Sequence, residues 1–353
     1  MSSSNASRSL DRRTWLRRSI LGGSACAWLS AASCVPKPAQ ASVTAYVALD
    51  REFSAPWLEK FQAETKIEVI PKYDVESTKT VGLVNALLLE RQRPHCDVFW
   101  NNEILHTLRL QREGLLEPFD TPVAQTIPPN YRDPQGCWYG FAARARVLLV
   151  NHDMVDAADE PTTIEALADS KWKGKAGIAK PLFGTTASHA AVLFARWGRA
   201  RAEKFFRAVQ ENALTMSGNK QVAVSVGRGQ LAWGLTDTDD ALVEIESGSP
   251  VHLVYPDQAS DQDGTLLIPN TLAVIRHAPH AAYARQLVEY LLRPEVEESL
   301  ARGPSAQFPL HRQSTVRPRV VTESTPRWME VDFHAAAEAW DHASRWLKQL
   351  YFA

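Results

Sequence analysis

Three carboxylates, Asp237, Asp239 and Asp240, fall within four residues and are interleaved with Thr236 and Thr238, directly after an apolar run. Carboxylates this close repel one another unless a cation stands among them. Hard oxygen donors of this kind suit a divalent or trivalent cation, with Asp237 and Asp239 as metal ligands and Glu103 or Asp50 opposite. The same residues also read as a turn and a helix cap, since acids favour a helix N-terminus. A second group has the opposite preference. Gly184-Thr185-Thr186 stands where a loop becomes a helix, so free N–H groups and two hydroxyls would face an anion, or the threonines simply cap the helix. Arg144 and Arg146 alternate along an extended run and share one face. A guanidinium there holds carbonate, phosphate or a carboxylate through two parallel hydrogen bonds, or forms a salt bridge between two parts of the chain. Asn102, beside Glu103, and Asn219, after Gly218, are ligand contacts or turn residues.

Catalysis finds little support in these residues. Asp237-Thr238-Asp239 is similar to the two-aspartate motif of phosphatases, but that motif sits on an early strand and this one lies two-thirds along the chain. Ser188 and His189 are helix neighbours and do not face each other. The sequence has no nucleophile elbow, no phosphate-cradling Gly-rich loop and no zinc-binding His pair. The expectation is a binding protein with no catalytic cofactor.

The elements that position these residues alternate strand and helix. Val43–Leu49 reads as a buried strand, Ser54 as the cap of a helix with Pro56 in its first turn, and Ile67–Val69 as a second strand. Ser77 or Thr78 opens a helix carrying Val81, Val84, Leu87 and Leu88, and Asp97–Trp100 is a third strand that ends at Asn101-Asn102-Glu103. Such alternation implies a largely parallel sheet with helices on both faces. Trp138–Asn151 is longer than an ordinary strand and reads as a crossing from one lobe to another. A second α/β series follows, with a short helix at 163–168, a strand at 176–179, a loop at 181–186 that feeds a helix through Ala191 and Phe194, a helix at 201–212, a strand at 231–235, a helix at 239–246 and a strand at 251–254. Gly264–Ile275 reads as a second crossing. Helices then run to the C-terminus, with Trp328, Trp340 and Trp346 expected to dock them on the first lobe. Two α/β lobes joined by two extended crossings make a clam, with the ligand between the lobes and closure by hinge motion. The boundaries read as 42–143 with 269–353 for the first lobe, and 144–268 for the second.

Residues 1–41 read as an export signal. Arg12-Arg13-Thr14-Trp15-Leu16-Arg17 resembles a twin-arginine pattern, a weakly apolar run spans Ile20–Ser33, and Ala39-Gln40-Ala41 fits signal peptidase. Two alternatives stand beside it: an ordinary secretory signal, and acylation at Cys34, which would tether the protein to a membrane face. Removing these residues takes away six bases and one acid, so the balance changes from 39 against 40 to 33 against 39, a net charge of -6. A mildly acidic body argues against nucleic acid as a partner. Only Cys96 and Cys137 remain in the body, as one disulfide or as two buried thiols, and neither gives zinc-ligand spacing.

Seven segments in order carry a family resemblance: Tyr46–Ser54, Asp97–Glu103, Gly140–Val147, Trp172–Lys175, Pro181–Ala187, Gly234–Ala241 and Ile268–Thr271. The chain resembles the extracellular solute-binding proteins of ABC importers, in their ferric-iron-binding branch. The resemblance implies a type II periplasmic-binding-protein fold, with a mixed sheet flanked by helices in each lobe and two hinge crossings. It implies a periplasmic monomer that meets the membrane only through an ABC permease and its ATPase, or through a lipid on Cys34. The cargo it implies is Fe(III) with carbonate or phosphate. Ferric members hold the metal with adjacent tyrosines, whereas this chain reads Thr236-Asp237-Thr238-Asp239 at that place and has no adjacent tyrosines anywhere. An organic anion, such as a phosphonate, phosphorylated sugar or carboxylate held by Arg144 and Gly184–Thr186, is the alternative cargo. A solute-loaded sensor for a signalling receptor is the alternative role.

Overall fold

The computed structural model describes residues 40–74, 80–320 and 325–352. Apart from its last two residues, the export signal read at 1–41, with Cys34, lies outside the described residues, as does the helix start read at Ser77 or Thr78. In chain order the elements of the first series are β1 (Ser42–Val47), α1 (Arg51–Thr65), β2 (Glu68–Tyr73), α2 (Val81–Leu89), β3 (Val98–Asn101), α3 (Leu105–Arg112) and β4 (Leu116–Glu117). The long strand β5 (Tyr139–Asn151) leads into β6 (Ala176–Ala179), α4 (Gly184–Trp197), α5 (Arg199–Asn212), β7 (Leu214–Met216), α6 (Asn219–Gly227), β8 (Trp233–Asp237), α7 (Thr238–Glu246) and β9 (Val251–Val254). The chain closes with β10 (Leu267–Ile275), α8 (Ala281–Leu291), α9 (Pro294–Arg302) and α10 (Phe333–Phe352).

The strands run in the order β2-β1-β3-β10-β5-β8-β6-β7, and β5 belongs to two sheets. Its residues 139–145 pair antiparallel with β10, whereas Arg146–Val150 pair antiparallel with β8. The change of partner therefore falls between Ala145 and Arg146, with Arg144 and Arg146 on either side of it. The outer pairs, β1 with β2 and β3, and β6 with β7 and β8, are parallel. Each sheet is thus mixed, because the crossing strands enter against the direction of the others. Every residue of β5 is buried, as a strand covered on both faces requires. Leu266 passes the chain back, its carbonyl accepting from Arg146 N at 2.9 Å, and β10 then pairs only with β3, β4 and β5. These features are those of the two-lobed type II periplasmic-binding-protein fold.

A bulge sits beside the change of sheet. The β5–β10 register shifts between Pro269 and Asn270, leaving Ala142 as the extra residue with φ 43°. A non-glycine residue in that region is strained. It is held by Glu297, whose Oε1 accepts from Ala142 N at 2.6 Å, and by Asn270, whose side chain donates to the Ala142 carbonyl.

Three local expectations change. Helix α1 starts at Arg51 with Asp50 as its N-cap residue, so Pro56 lies inside the helix and Ser54 turns its hydroxyl onto the Leu49 and Asp50 carbonyls. Asn219 opens a helix, α6, where a turn was expected. The third change concerns the C-terminal tryptophans. Helix α10 packs mainly along α4 and also meets α3 and α5, and Trp346 lies against Phe194 and Arg207. Cys96 and Cys137 are buried free thiols.

Candidate ligand cleft

Four helices begin at one narrow cleft. Asp50, the N-cap residue of α1, Asn102 after β3, Arg144 of β5, and the first residues of α4, α6 and α7 all line it. The convergence follows from topology, because helices entered from the carboxyl ends of neighbouring strands start on one side of a sheet.

An ionic network runs from the cleft wall, where Thr185, Thr186, Asn219 and Asp237 stand, back to the buried Arg146. Arg146 is 0% exposed and faces Asp237 across the β5–β8 ladder. Its Nη1 donates to Asp237 Oδ1 at 2.5 Å and to Thr185 Oγ1 at 3.2 Å, and its Nη2 donates to Thr186 Oγ1 at 3.2 Å. The other Asp237 oxygen accepts from Thr185 Oγ1 at 2.6 Å and from Asn219 Nδ2 at 2.9 Å. Burial pushes the Asp237 carboxyl up, but Arg146 and then Arg144 hold it below the usual carboxylate range. Asp237 stands at the N-cap of α7, yet it makes no cap hydrogen bond. Its carboxylate is used by the neighbouring strand and helices instead.

Arg144 stands nearer the ligand space. Its Nη1 lies 3.2 Å from Asp239 Oδ2 and 3.7 Å from Asp237 Oδ2, and its Nη2 donates to the Asn102 carbonyl. Burial opposes the charge, but Asp239, Asp237, Asp50 and Asp240 outweigh it and raise the pKa further. Among the described residues its Nε is buried with no hydrogen-bond partner. Asp237, Asp239 and Asp240 each present an oxygen, all within 4.8 Å of one another.

The remaining candidates divide. Asn102 lines the cleft and accepts Thr80 Oγ1 at 2.7 Å. Asn219 bonds Thr185 and Thr186 as well as Asp237. Thr236 and Thr238 are fully buried, one hydroxyl donating to the Asn219 carbonyl and the other accepting from Ala145 N. Glu103 departs from the expected metal role. It is fully buried and accepts from Asn101, Leu105 N, His106 N, the His106 ring and Ser188 Oγ. Burial raises its pKa, but His106, Ser188 and Asn101 bring it below the ordinary value. A carboxylate so fully supplied with donors anchors the start of α3 and has no oxygen left for a ligand.

Among the polar side chains of the cleft, sequence reasoning passed over Lys180 and Ser217, which lie before α4 and α6. Neither sits in a motif, and only the fold brings them to the same wall. Below that wall His189 is 3% exposed, and among the described residues neither of its ring nitrogens has a partner. Burial, and then the charge of Arg146, push its pKa down from 6.5 to about 3.

Comparison with known proteins matches residues 106–336 to the model of a bacterial extracellular solute-binding protein. Iron uptake protein A2 of Synechocystis sp. is 30% identical over 208 residues, which are 55% of this chain and 59% of that protein. The ferric binding protein from Campylobacter jejuni superposes with a TM-score of 0.79 at 21% identity, over 88% of this chain and 99% of its own. The periplasmic binding protein AfuA from Actinobacillus pleuropneumoniae, with fructose-6-phosphate bound, gives 0.77 at 19% identity over 89% and 100%. At these identities the structural likenesses speak for the fold.

Proposed function

This chain belongs to the bacterial extracellular solute-binding protein family, and on that premise we propose that it captures a small ligand between two lobes in the periplasm and delivers it to an ABC permease and its ATPase. The lobes are residues 42–143 with 269–353, and residues 144–268, hinged where β5 changes sheet. The role is binding and release with no covalent step, by a monomer exported through the signal at 1–41. Among the described residues no helix is long and apolar enough to cross a membrane.

The cargo we propose is a ferric-type hard cation bound together with an anion. The observation that carries this reading is the pairing, in one cleft, of aspartate oxygens within 4.8 Å of one another with two helix starts that bring no acid of their own. Because Asp237 is taken up by Arg146, Thr185 and Asn219, the proposed cation donors are Asp239 and Asp240, with Asp50 opposite. The N–H groups at the starts of α4 and α6 would hold the anion. An organic phosphate is the second reading, and it has a specific support. Arg144 lies 3.2 Å from Asp239, and its positive charge disfavours a bare cation there. A sugar phosphate would place hydroxyls on the aspartates and its phosphate at the helix starts.

Either cargo can drive closure. Micromolar to nanomolar binding is worth about 8–12 kcal/mol, and turning a hinge from almost all open to almost all closed needs about 5.5 kcal/mol of differential affinity. Contacts made from both lobes supply that difference. Native mass spectrometry with elemental analysis, on protein purified without chelator, separates the readings. Bound iron that is lost in Asp239→Ala plus Asp240→Ala supports the cation, whereas an organic phosphate mass supports the second reading. Protein that takes up neither, even when both are added, overturns both.

A further inference from the structure

The anion-facing wall of the cleft includes a cation supplied by neither arginine. Lys180 follows β6 and lines the cleft beside Gly184, Thr185 and Asn219. Its backbone N–H donates to the Met216 carbonyl at 3.0 Å, which fixes its Cα beside β7 and leaves the side chain to choose its direction. Of the cleft aspartates, Asp237 and Asp239 pair with Arg144 and Arg146. What Lys180 meets is the end of the chain: its Nζ stands 4.1 Å from the ring centroid of Phe352 in the last turn of α10. Phe352 is 59% exposed, so the ring gains little from burial and its face is used by the ammonium. Because α10 packs along α4, the ring is fixed to the same scaffold that presents the α4 start to the cleft.

We propose that Lys180 is the ionic contact for the anionic part of the ligand, and that Phe352 is a positioning residue that holds the ammonium at the rim of the cleft. This rests on the proposal that the starts of α4 and α6 seat an anion. Two observations besides the helix starts point the same way. Arg144, 3% exposed and on the cleft wall, adds a fixed positive charge to that space while its guanidinium bonds Asp239 and the Asn102 carbonyl. Neither α4 nor α6 has an acidic residue in its first turn, so the two helix starts beside Lys180 add no negative charge of their own. A lysine serves a phosphate as a point charge, and an aromatic face restrains a cation without neutralising it. The chemical class is therefore a phosphate-type oxyanion, free beside the cation or carried on an organic ligand.

Calorimetric titration of the purified protein with inorganic phosphate, alone and with ferric ion, and with a hexose 6-phosphate tests this and separates the two sources of phosphate. Lys180→Met is expected to weaken the bound probe about tenfold and to flatten its dependence on ionic strength. Lys180→Arg should keep most of the affinity. Phe352→Leu is expected to weaken binding about two- to fivefold, with Phe352→Tyr restoring it. Both side chains are partly exposed, so thermal melts of the variants should match the parent. Wild-type affinity and salt dependence in Lys180→Met would overturn the ionic contact, and a silent Phe352→Leu would overturn the positioning role. A parent protein that binds none of the probes refutes the anion seat itself, a pattern distinct from unchanged variants.

Discussion

Helices α1 and α7 begin at the same cleft as α4 and α6, and the two pairs treat their N-termini in opposite ways. Helix α1 carries Asp50 at its N-cap and Glu52 in its first turn, and α7 carries Asp237, Asp239 and Asp240. Helix α4 starts after Phe183 with Gly184, and α6 after Gly218 with Asn219, without an acid in the first turn of either. The partial positive charge of a helix start is answered by acids at one pair and not at the other. On the proposed function, this gives the cleft a cation-seeking side and an anion-seeking side. The comparison also shows that an acid at a helix start is not automatically a ligand. Asp237 and Asp240 both line the cleft, but Asp237 is buried against Arg146, whereas Asp240 is only partly buried.

That distinction predicts different failures. Asp237→Ala leaves Arg146 charged and buried, so it should cost about 3–5 kcal/mol of stability, read as a fall in the denaturation midpoint with or without ligand. A loss of binding in a protein of unchanged stability would show that Asp237 is a ligand after all. Below the anion-seeking side, His189 is neutral in the fold and accepts a proton once unfolded. Because its folded pKa of about 3 lies below its ordinary 6.5, its contribution should be lost as pH falls across that window, at roughly 1.4 kcal/mol per pH unit. Asp257 acts in the opposite sense, since burial pushes its carboxyl up to about 7. The measurement is therefore the difference between the parent and His189→Leu in urea melts from pH 7 to pH 4, with the leucine variant losing less on acidification.

Asp240→Ala should weaken cation binding about tenfold, in the range of one charge-assisted contact, with little change in melting. Calorimetry with ferric ion and phosphate reads it, and an equal loss of phosphate binding without metal would blur the two sides of the cleft. The smallest effect belongs to Gly184. Its φ of +54° suits glycine, and an added Cβ would meet nothing within 4 Å. Gly184→Ala should therefore cost about 1 kcal/mol through backbone strain alone, seen as a small shift in melting.

Local pattern made much of this architecture readable. Unbroken strand character over Trp138–Asn151 exceeds an ordinary strand's length, and that excess marked the crossing before any pairing was known; in the structure all thirteen residues of β5 are buried. The start of α4 was readable because a glycine and two threonines in a row have few other uses. Helix α6 was hidden because Val222-Ala223-Val224-Ser225-Val226 alternates like a strand. Tertiary packing decides it as a helix: Gly177 and Gly234 leave room on β6 and β8 for Val222, whose Cγ1 lies 2.4 Å from where a Cβ of Gly234 would stand. The seat of α10 was out of reach for a related reason, since an apolar stripe shows that a face is buried and not what buries it. Glu103 was misjudged because Ser188, one of its donors, is 85 residues away. Lys180 and Phe352 are separated by half the chain, and their contact has no local signature.

The most direct test is a crystal structure of protein purified without chelator, with diffraction recorded at the iron absorption edge. An anomalous peak beside Asp239 and Asp240, with anion density against the starts of α4 and α6, is the predicted result. Ligand density lying elsewhere, or a metal held by Glu103 with the α4 and α6 starts facing only solvent, would contradict the division of the cleft into its two sides.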